Sequence, residues 1–286
     1  MTRYPAAWAS TLELHAMGGI SGQIALTRLL LSGDAPTPER LAQLAADDPG
    51  TLPLGELAAL AHQHRDQLVV MAQLAASGIT PRGTDLIAST REIFDRMALT
   101  APEAAVAFYS LGDPALLDRA TAELLAVIHK WVRVAGRAVL DFGCGIGRLA
   151  VAIAPEAGFA LGIDLSSEML AAARRRAGTL PNVRFELANG HDLVDAATAS
   201  IDLLLAVDSL PYVAGTPLLE GLLSEAARVL RSGGDLLVFN WSYRGDAAID
   251  IADAYACAAT HGFTVLRAGE RPFTIWDAAG FHLRRA

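Results

Sequence analysis

From Gly136 onward short apolar runs alternate with helical segments, and that alternation constrains the fold more than any other feature. AVLDF (138–142), FALGIDL (159–165), VRFELA (183–188), IDLLLAV (201–207) and GDLLVFNW (234–241) read as strands. RLAVAIAP, SSEMLAAARRRAG and PLLEGLLSEAARVLRSGG read as the helices between them. Strands that are apolar almost throughout, each followed by a helix, belong to a parallel sheet covered on both faces. FTVLRAG and FHLRR read as a closing strand pair, with Asp246–His261 as the helix before them. The expected fold class is α/β, a doubly wound, mostly parallel sheet.

The first 130 or so residues contain no convincing strand. Thr37 is placed to cap a helix with Pro38 at its first position, stopped at Asp47-Asp48-Pro49-Gly50. From Leu54 to Ser77, Leu57, Leu60, Ala61, His64, Leu68, Met71, Leu74 and Ala75 share one face at helical spacing. Thr84 is expected to cap DLIASTREIFDRMAL, and Pro114 to open ALLDRATAELLAVIHKW. The expected division is an all-helical cap over residues 1–112 and an α/β domain over 113–286.

Composition removes several classes. A chain of 286 residues, 52% hydrophobic, can bury a substantial core. Its net charge of −8 disfavours general binding to a phosphate backbone. The dense basic stretch ARRRAG reads as a solvated helix end. Cys144 and Cys257 give no disulfide framework and suit a reducing compartment. No run approaches the roughly 18 apolar residues of a membrane helix, and Glu13, His15 and two glycines interrupt what would be a signal peptide's apolar core. The expectation is a soluble, cytoplasmic protein with no membrane or nucleic-acid partner. His62 and His64, two apart on a helix, diverge and read as exposed residues, so no metal site is expected; His191 reads as a surface-loop histidine.

The loop after the first strand raises the functional question. Asp141-Phe142 runs into Gly143-Cys144-Gly145-Ile146-Gly147 and then directly into a helix. In a doubly wound sheet the ligand lies beyond the carboxyl ends of the strands, where strand order reverses. A dinucleotide fingerprint would read G-x-G-x-x-G; here the spacing is G-x-G-x-G, with an acid two positions before the first glycine. A carboxylate is electrostatically wrong beside a pyrophosphate and right beside an ammonium or sulfonium. Asp164, ending the second strand, is placed to accept from both hydroxyls of a ribose. Leu165 and Met169 offer apolar surface to an adenine, and Asn189 and Gly190 polar groups to its edge.

VLDFGCGIGR, GIDLSSEML, NVRFELANGHDL, SIDLLLAVDSL and EAARVLRSGGDLLVFNWS, in that order, resemble the class I S-adenosylmethionine-dependent methyltransferases over about the last 170 residues. The resemblance implies a seven-stranded, Rossmann-like sheet whose last strand is antiparallel, and S-adenosyl-L-methionine as cofactor. It implies that Gly143, Gly145 and Gly147 line the methionine part, that Asp141 lies near its amino group, that Asp164 binds ribose, and that Asn189 and Gly190 bind adenine. Asn189 departs from the commoner aspartate. Cys144 lies in the same loop and is counted with it among the cofactor-binding residues, its side chain reading as small packing; a nucleophilic role would need a base that the sequence does not identify. In the family the segment approaching the fold often covers the cofactor's methionine end, which makes Tyr109 a candidate lid residue, with a core tyrosine as the alternative.

Methyl transfer from a sulfonium asks the protein mainly to align a nucleophile and exclude water, with a base only for an acceptor still protonated at neutral pH. Asp208 ends the fourth strand, facing the methyl group or the acceptor, and Tyr212 follows it; Tyr243 lies in the Asn240–Arg244 cluster after the fifth. Asp208, Tyr212 and Tyr243 are therefore the catalytic candidates, with Asp208 also counted among the cofactor-binding residues. Trp241, Tyr243 and Tyr212 hint at a planar or partly apolar acceptor. Arg244 either binds an acceptor carboxylate or pairs with Asp246 or Asp250. DSLPY resembles the DPPY of amino-methylating nucleic-acid enzymes only weakly, being one residue longer and lacking the paired proline. The leading expectation is a methyltransferase acting on a small molecule by direct in-line transfer. The alternatives are another use of the cofactor, such as cyclisation of its aminobutyrate chain, or a non-catalytic binding module; a nicotinamide reductase is disfavoured by the loop. The helical region is expected to serve as a lid or as a homodimer interface.

Overall fold

The computed structural model describes residues 4–47, 52–78, 81, 85–193 and 196–286. Its helices are α1 (Ala9–Ala16), α2 (Gly22–Leu31), α3 (Pro38–Asp47), α4 (Leu54–Gln63), α5 (Arg65–Ala76), α6 (Leu86–Thr100), α7 (Pro102–Val106), α8 (Pro114–Trp131), α9 (Arg148–Ile153), α10 (Ser167–Ala177), α11 (Pro217–Val229) and α12 (Ala247–His261). The strands are β1 (Ala138–Phe142), β2 (Phe159–Asp164), β3 (Val183–Leu187), β4 (Ile201–Val207), β5 (Leu230–Phe239), β6 (Phe263–Glu270) and β7 (Gly280–Arg285).

The strands form one sheet in the order β3-β2-β1-β4-β5-β7-β6. β1 to β5 pair in parallel, and β7 runs antiparallel to both β5 and β6. This is the seven-stranded arrangement the resemblance implies. Leu140, Leu161, Ile163, Leu204, Leu236 and Val238 are buried in one apolar cluster, at roughly 1.5–3 kcal/mol for each large side chain. That burial makes the runs strands despite their lack of polar alternation. β5 begins at Leu230, four residues before the expected start, and stops before Asn240 and Trp241. α12 starts where expected: Asp246 accepts from the backbone N–H groups of Ala248 and Ile249.

The chain divides into two compact units, and the division does not run at residue 112. One unit takes Met1–Thr80, Leu99–Ala120 and Phe273–Asp277; the other takes Pro81–Ala98, Thr121–Pro272 and Ala278–Ala286. The cause is α6, whose Ile87, Arg91 and Asp95 bind loops of the sheet unit. In the helical unit Trp8, Leu12, Leu26, Leu29, Leu57 and Met71 are fully buried. Thr37 accepts from the Arg40 N–H as expected of a cap. The helix expected over 54–77 is instead two, broken at His64, whose backbone leaves helical geometry (φ −111°, ψ 28°). His64 is buried, not exposed, with Nδ1 3.4 Å from an Asp113 carboxylate oxygen. Thr84 lies outside the described residues; Asp85 accepts from the Ala88 N–H at the start of α6. No described helix is long and apolar enough to cross a membrane.

Candidate active site

Strand order reverses between β1 and β4, since β2 continues one way from β1 and β5 the other way from β4. The crevice at their carboxyl ends is where this architecture holds ligands. β1 delivers Asp141 there, with 3% of its surface exposed. Its Oδ2 is buried with no hydrogen-bond partner among the described residues. Burial pushes the carboxyl up to about 7, against the pull of the nearby Arg148 guanidinium. A buried carboxylate oxygen without a donor is costly. A cationic N–H donor is the group that fits it.

The glycine loop shows what it excludes. The N–H groups of Gly143 and Cys144 both donate to the Ile163 carbonyl, that of Gly145 to Asp164 Oδ2 at 2.8 Å, and that of Gly147 to the Cys144 carbonyl. Four amides that would face a pyrophosphate in a dinucleotide site are engaged within the protein. Cys144 is buried beside Ala150, Leu170, Ala173 and Phe185, as a packing residue.

Two glycines are sterically required. Gly143 has φ +69°, and a Cβ there would stand 2.6 Å from Ser209 Cβ. Gly147 also has φ +69°, and its Cβ would meet Phe185 Cζ at 2.8 Å and Ala173 Cβ at 2.9 Å. Left-handed strain of roughly 1–2 kcal/mol adds to overpacking of roughly 1–3 kcal/mol. Gly147→Ala is therefore expected to lower the apparent melting temperature by about 10 °C. A thermal melt within 2 °C of wild type would show that the loop has slack.

Asp164, at the end of β2, is held by two backbone donors: Ser166 N–H on Oδ1 at 2.9 Å and Gly145 N–H on Oδ2. Burial raises its carboxyl to about 6, while those donors hold it down. Each oxygen retains capacity for a further donor, as a ribose diol requires. Met169 is fully buried on α10, Leu165 half-buried just before it. Asn189 is occupied otherwise than expected. Its Oδ1 accepts from the His191 and Asp192 N–H groups and its Nδ2 donates to Asp192, so the side chain shapes the turn that carries Gly190. His191 is exposed, as expected.

Asp208 and Asn240 directly follow β4 and β5 in left-handed conformations, φ +56° and +72°. Asp208 Oδ1 accepts from Asn240 Nδ2 at 2.6 Å and from the Tyr243 hydroxyl at 3.0 Å. The Tyr212 and Tyr243 hydroxyls lie 3.4 Å apart, with rings edge to face. Asp208, Tyr212 and Tyr243 thus form one group. Burial and the Asp208 charge push the Tyr212 hydroxyl well above its ordinary range. The Tyr243 ring is largely exposed, but its hydroxyl is tucked against Asp208, and desolvation with that charge raises it too. Both tyrosines therefore remain protonated donors at neutral pH, leaving Asp208 as the group's proton acceptor.

One expectation is corrected, at Trp241, and at Arg244 and Tyr109 the structure takes one of two open alternatives. Trp241 is fully buried against Phe281 and lies in the core, so it is no acceptor platform. Arg244 pairs with Asp250 and Asp253 and holds the start of α12, which commits its charge to the protein. Tyr109 belongs to the helical unit, buried and stacked on Trp276 at 5.2 Å, as the core alternative foresaw. Among the described residues no cluster of ligating side chains suits a metal.

The sequence shows α6 as a helix but gives no sign that it reaches the site loops. Ile87 packs on Gly190, where a Cβ would meet it at 2.9 Å. Arg91 Nε donates to the Leu165 carbonyl, and Asp95 accepts from Ser166 Oγ at 2.5 Å and from the Glu168 N–H. Phe94 meets Tyr212 edge-on at 5.2 Å. One helix face thus lies along the loops that follow β2, β3 and β4.

A family model described as a methyltransferase domain matches residues 139–234, from β1 into β5. Residues 139–234 thus resemble a methyltransferase domain. Demethylmenaquinone methyltransferase of Tropheryma whipplei is 33% identical over 156 residues, which cover 54% of this chain and 60% of that relative. The chain thus spans less than two thirds of that relative's length. Among solved structures, magnesium protoporphyrin IX methyltransferase from Synechocystis PCC 6803, crystallised with S-adenosylmethionine, aligns with a TM-score of 0.56 at 17% identity, covering 72% of this chain and all of that one. Geranyl diphosphate C-methyltransferase from Streptomyces coelicolor A3(2) aligns at 0.55 and 19%, with the same coverage. At such identities the likeness is one of fold.

Proposed function

We propose that this chain transfers a methyl group from S-adenosylmethionine to a small-molecule acceptor by in-line displacement. The observation that carries the reading is the unpartnered, buried Oδ2 of Asp141 beside a glycine loop whose amides are engaged elsewhere. That pairing suits an ammonium and disfavours a pyrophosphate. Asp141 holds the amino end of the cofactor, Asp164 the ribose, and the 188–190 turn, covered by Ile87, the adenine. Gly143, Gly145 and Gly147 let the backbone come close. When bound, the cofactor supplies an electrophilic methyl on a sulfonium that is its own leaving group.

The chain's contribution to chemistry lies at Asp208. Tyr243 and Asn240 fix its Oδ1, and the carboxylate takes the acceptor's proton or holds an acceptor cation in line. Tyr212 and Tyr243 serve as donors and as an aromatic wall. An acceptor that is planar or partly apolar, with one ionisable nucleophile, suits that wall and that base.

Calorimetric titration tests the reading. S-adenosylmethionine and S-adenosylhomocysteine are expected to bind at micromolar concentrations, with NADH and NADPH showing no heat of binding. An acceptor screen is then expected to release S-adenosylhomocysteine. Release of methylthioadenosine instead would replace methylation by cyclisation of the aminobutyrate chain, and tight binding with no turnover on any acceptor would leave a binding module.

A further inference from the structure

A second polar atom lies unpaired at the same crevice. Ser209 follows Asp208 at the end of β4, and its Oγ is buried with no hydrogen-bond partner among the described residues. Its Cβ occupies the space that a side chain at Gly143 would need. Ser209 thus stands over the first glycine of the loop, two residues after Asp141 in β1. Two buried polar atoms, one on β1 and one just past the end of β4, both lack partners among the described residues, and they have complementary needs. Asp141 Oδ2, when ionised, only accepts; the Ser209 hydroxyl has a proton to give. An α-amino acid end, with an ammonium and a carboxylate on one carbon, meets both.

We propose that Ser209 reads the α-carboxylate of the cofactor's amino-acid end, its hydroxyl donating to that group while Asp141 accepts from the ammonium. This rests on the cofactor reading above. Buried hydroxyls without partners destabilise the free protein, so a serine kept only for packing would gain nothing over alanine. A serine kept for a ligand trades stability for affinity. The choice of ligand follows: an S-adenosyl compound with its carboxylate is preferred over one without it.

Decarboxylated S-adenosylmethionine, which keeps the ammonium and lacks the carboxylate, separates the two contacts. Calorimetry on the wild-type chain is expected to show S-adenosylmethionine binding about tenfold tighter than the decarboxylated form. Ser209→Ala is expected to weaken S-adenosylmethionine and S-adenosylhomocysteine about tenfold and to leave the decarboxylated ligand within twofold, with a melting temperature equal to wild type or higher. Equal binding of both ligands by wild type overturns the proposal without any variant. So does a Ser209→Ala protein that binds S-adenosylmethionine as wild type does, or one that loses both ligands equally, since that would mark a structural role. A folded wild-type chain that binds none of the three would instead refute the cofactor reading beneath it.

Discussion

Asp141→Asn is expected to weaken S-adenosylmethionine binding 100-fold or more and, at pH 8, to raise the melting temperature of the free protein by about 5 °C. Both effects come from one atom. Burial raises the Asp141 carboxyl from 3.8 to about 7, so the folded free protein prefers it protonated. A carboxyl raised in this way stabilises the fold most below its unfolded value, and that stabilisation is lost as pH rises through about 7. At pH 8 the ionised group therefore costs on the order of 4 kcal/mol, which the neutral isostere avoids in part, leaving a gain of a few degrees. At pH 5 the carboxyl is protonated in the folded state and the difference in melting temperature should shrink. Ligand affinity moves the other way. An ammonium needs the ionised carboxylate, so wild-type affinity should rise between pH 6 and pH 8, and this part of the rise should be absent from the variant. Asp164, at about 6, titrates in both proteins and supplies the remaining slope. Calorimetry across that range, with melts at pH 5 and pH 8, reads both effects. A variant that binds like wild type would remove Asp141 from the cofactor site.

The parts of this molecule that were legible in the sequence are those where one physical requirement dictates residue type over a short stretch. Apart from Asp141, Asp164 and Asp202, β1, β2 and β4 are apolar because helices cover both faces, and they are legible nearly to the residue. Gly143 and Gly147 must be glycine because Ser209, Phe185 and Ala173 stand where a Cβ would go. The sequence showed the glycines but not those neighbours. What escaped was set by partners far along the chain. Ile87, Arg91 and Asp95 look like the ordinary mixed face of an amphipathic helix, and only the fold brings them to Gly190, Leu165 and Ser166. His64 fits an unbroken helical stripe until the break beside it is seen. Asn189 carried the right chemistry for an adenine edge, but a short-range Asx bond to its own turn took it first. Trp241 and Tyr243 are two apart after β5 and part company, one into the core and one to Asp208. Sequence proximity alone could not divide them.

Asp208→Asn is expected to lower the methyl-transfer rate about 100-fold or more while leaving S-adenosylmethionine affinity within twofold. The substitution is chosen for what it keeps. Asn tolerates the left-handed backbone (φ +56°) that Asp208 adopts. With its carbonyl at the Oδ1 position it still accepts from Asn240 and Tyr243, which both donate to that one atom. Only the negative charge and the proton-accepting oxygen are lost. A positioned general base contributes roughly 10²–10⁴-fold, and the raised hydroxyls of Tyr212 and Tyr243 cannot replace it near neutral pH. Single-turnover transfer of a labelled methyl group, to whichever acceptor the product screen yields, measures the step directly. The pH profile separates two roles for the charge. A base gives a variant that recovers toward the wild-type rate at high pH, where the acceptor ionises unaided. A charge that only holds a cationic acceptor instead raises KM in the variant and leaves kcat unchanged. A wild-type rate in the variant at pH 7 would move the chemistry away from β4, and the Asp208–Tyr243–Asn240 bonds would then be no more than the tie between two strained strand ends.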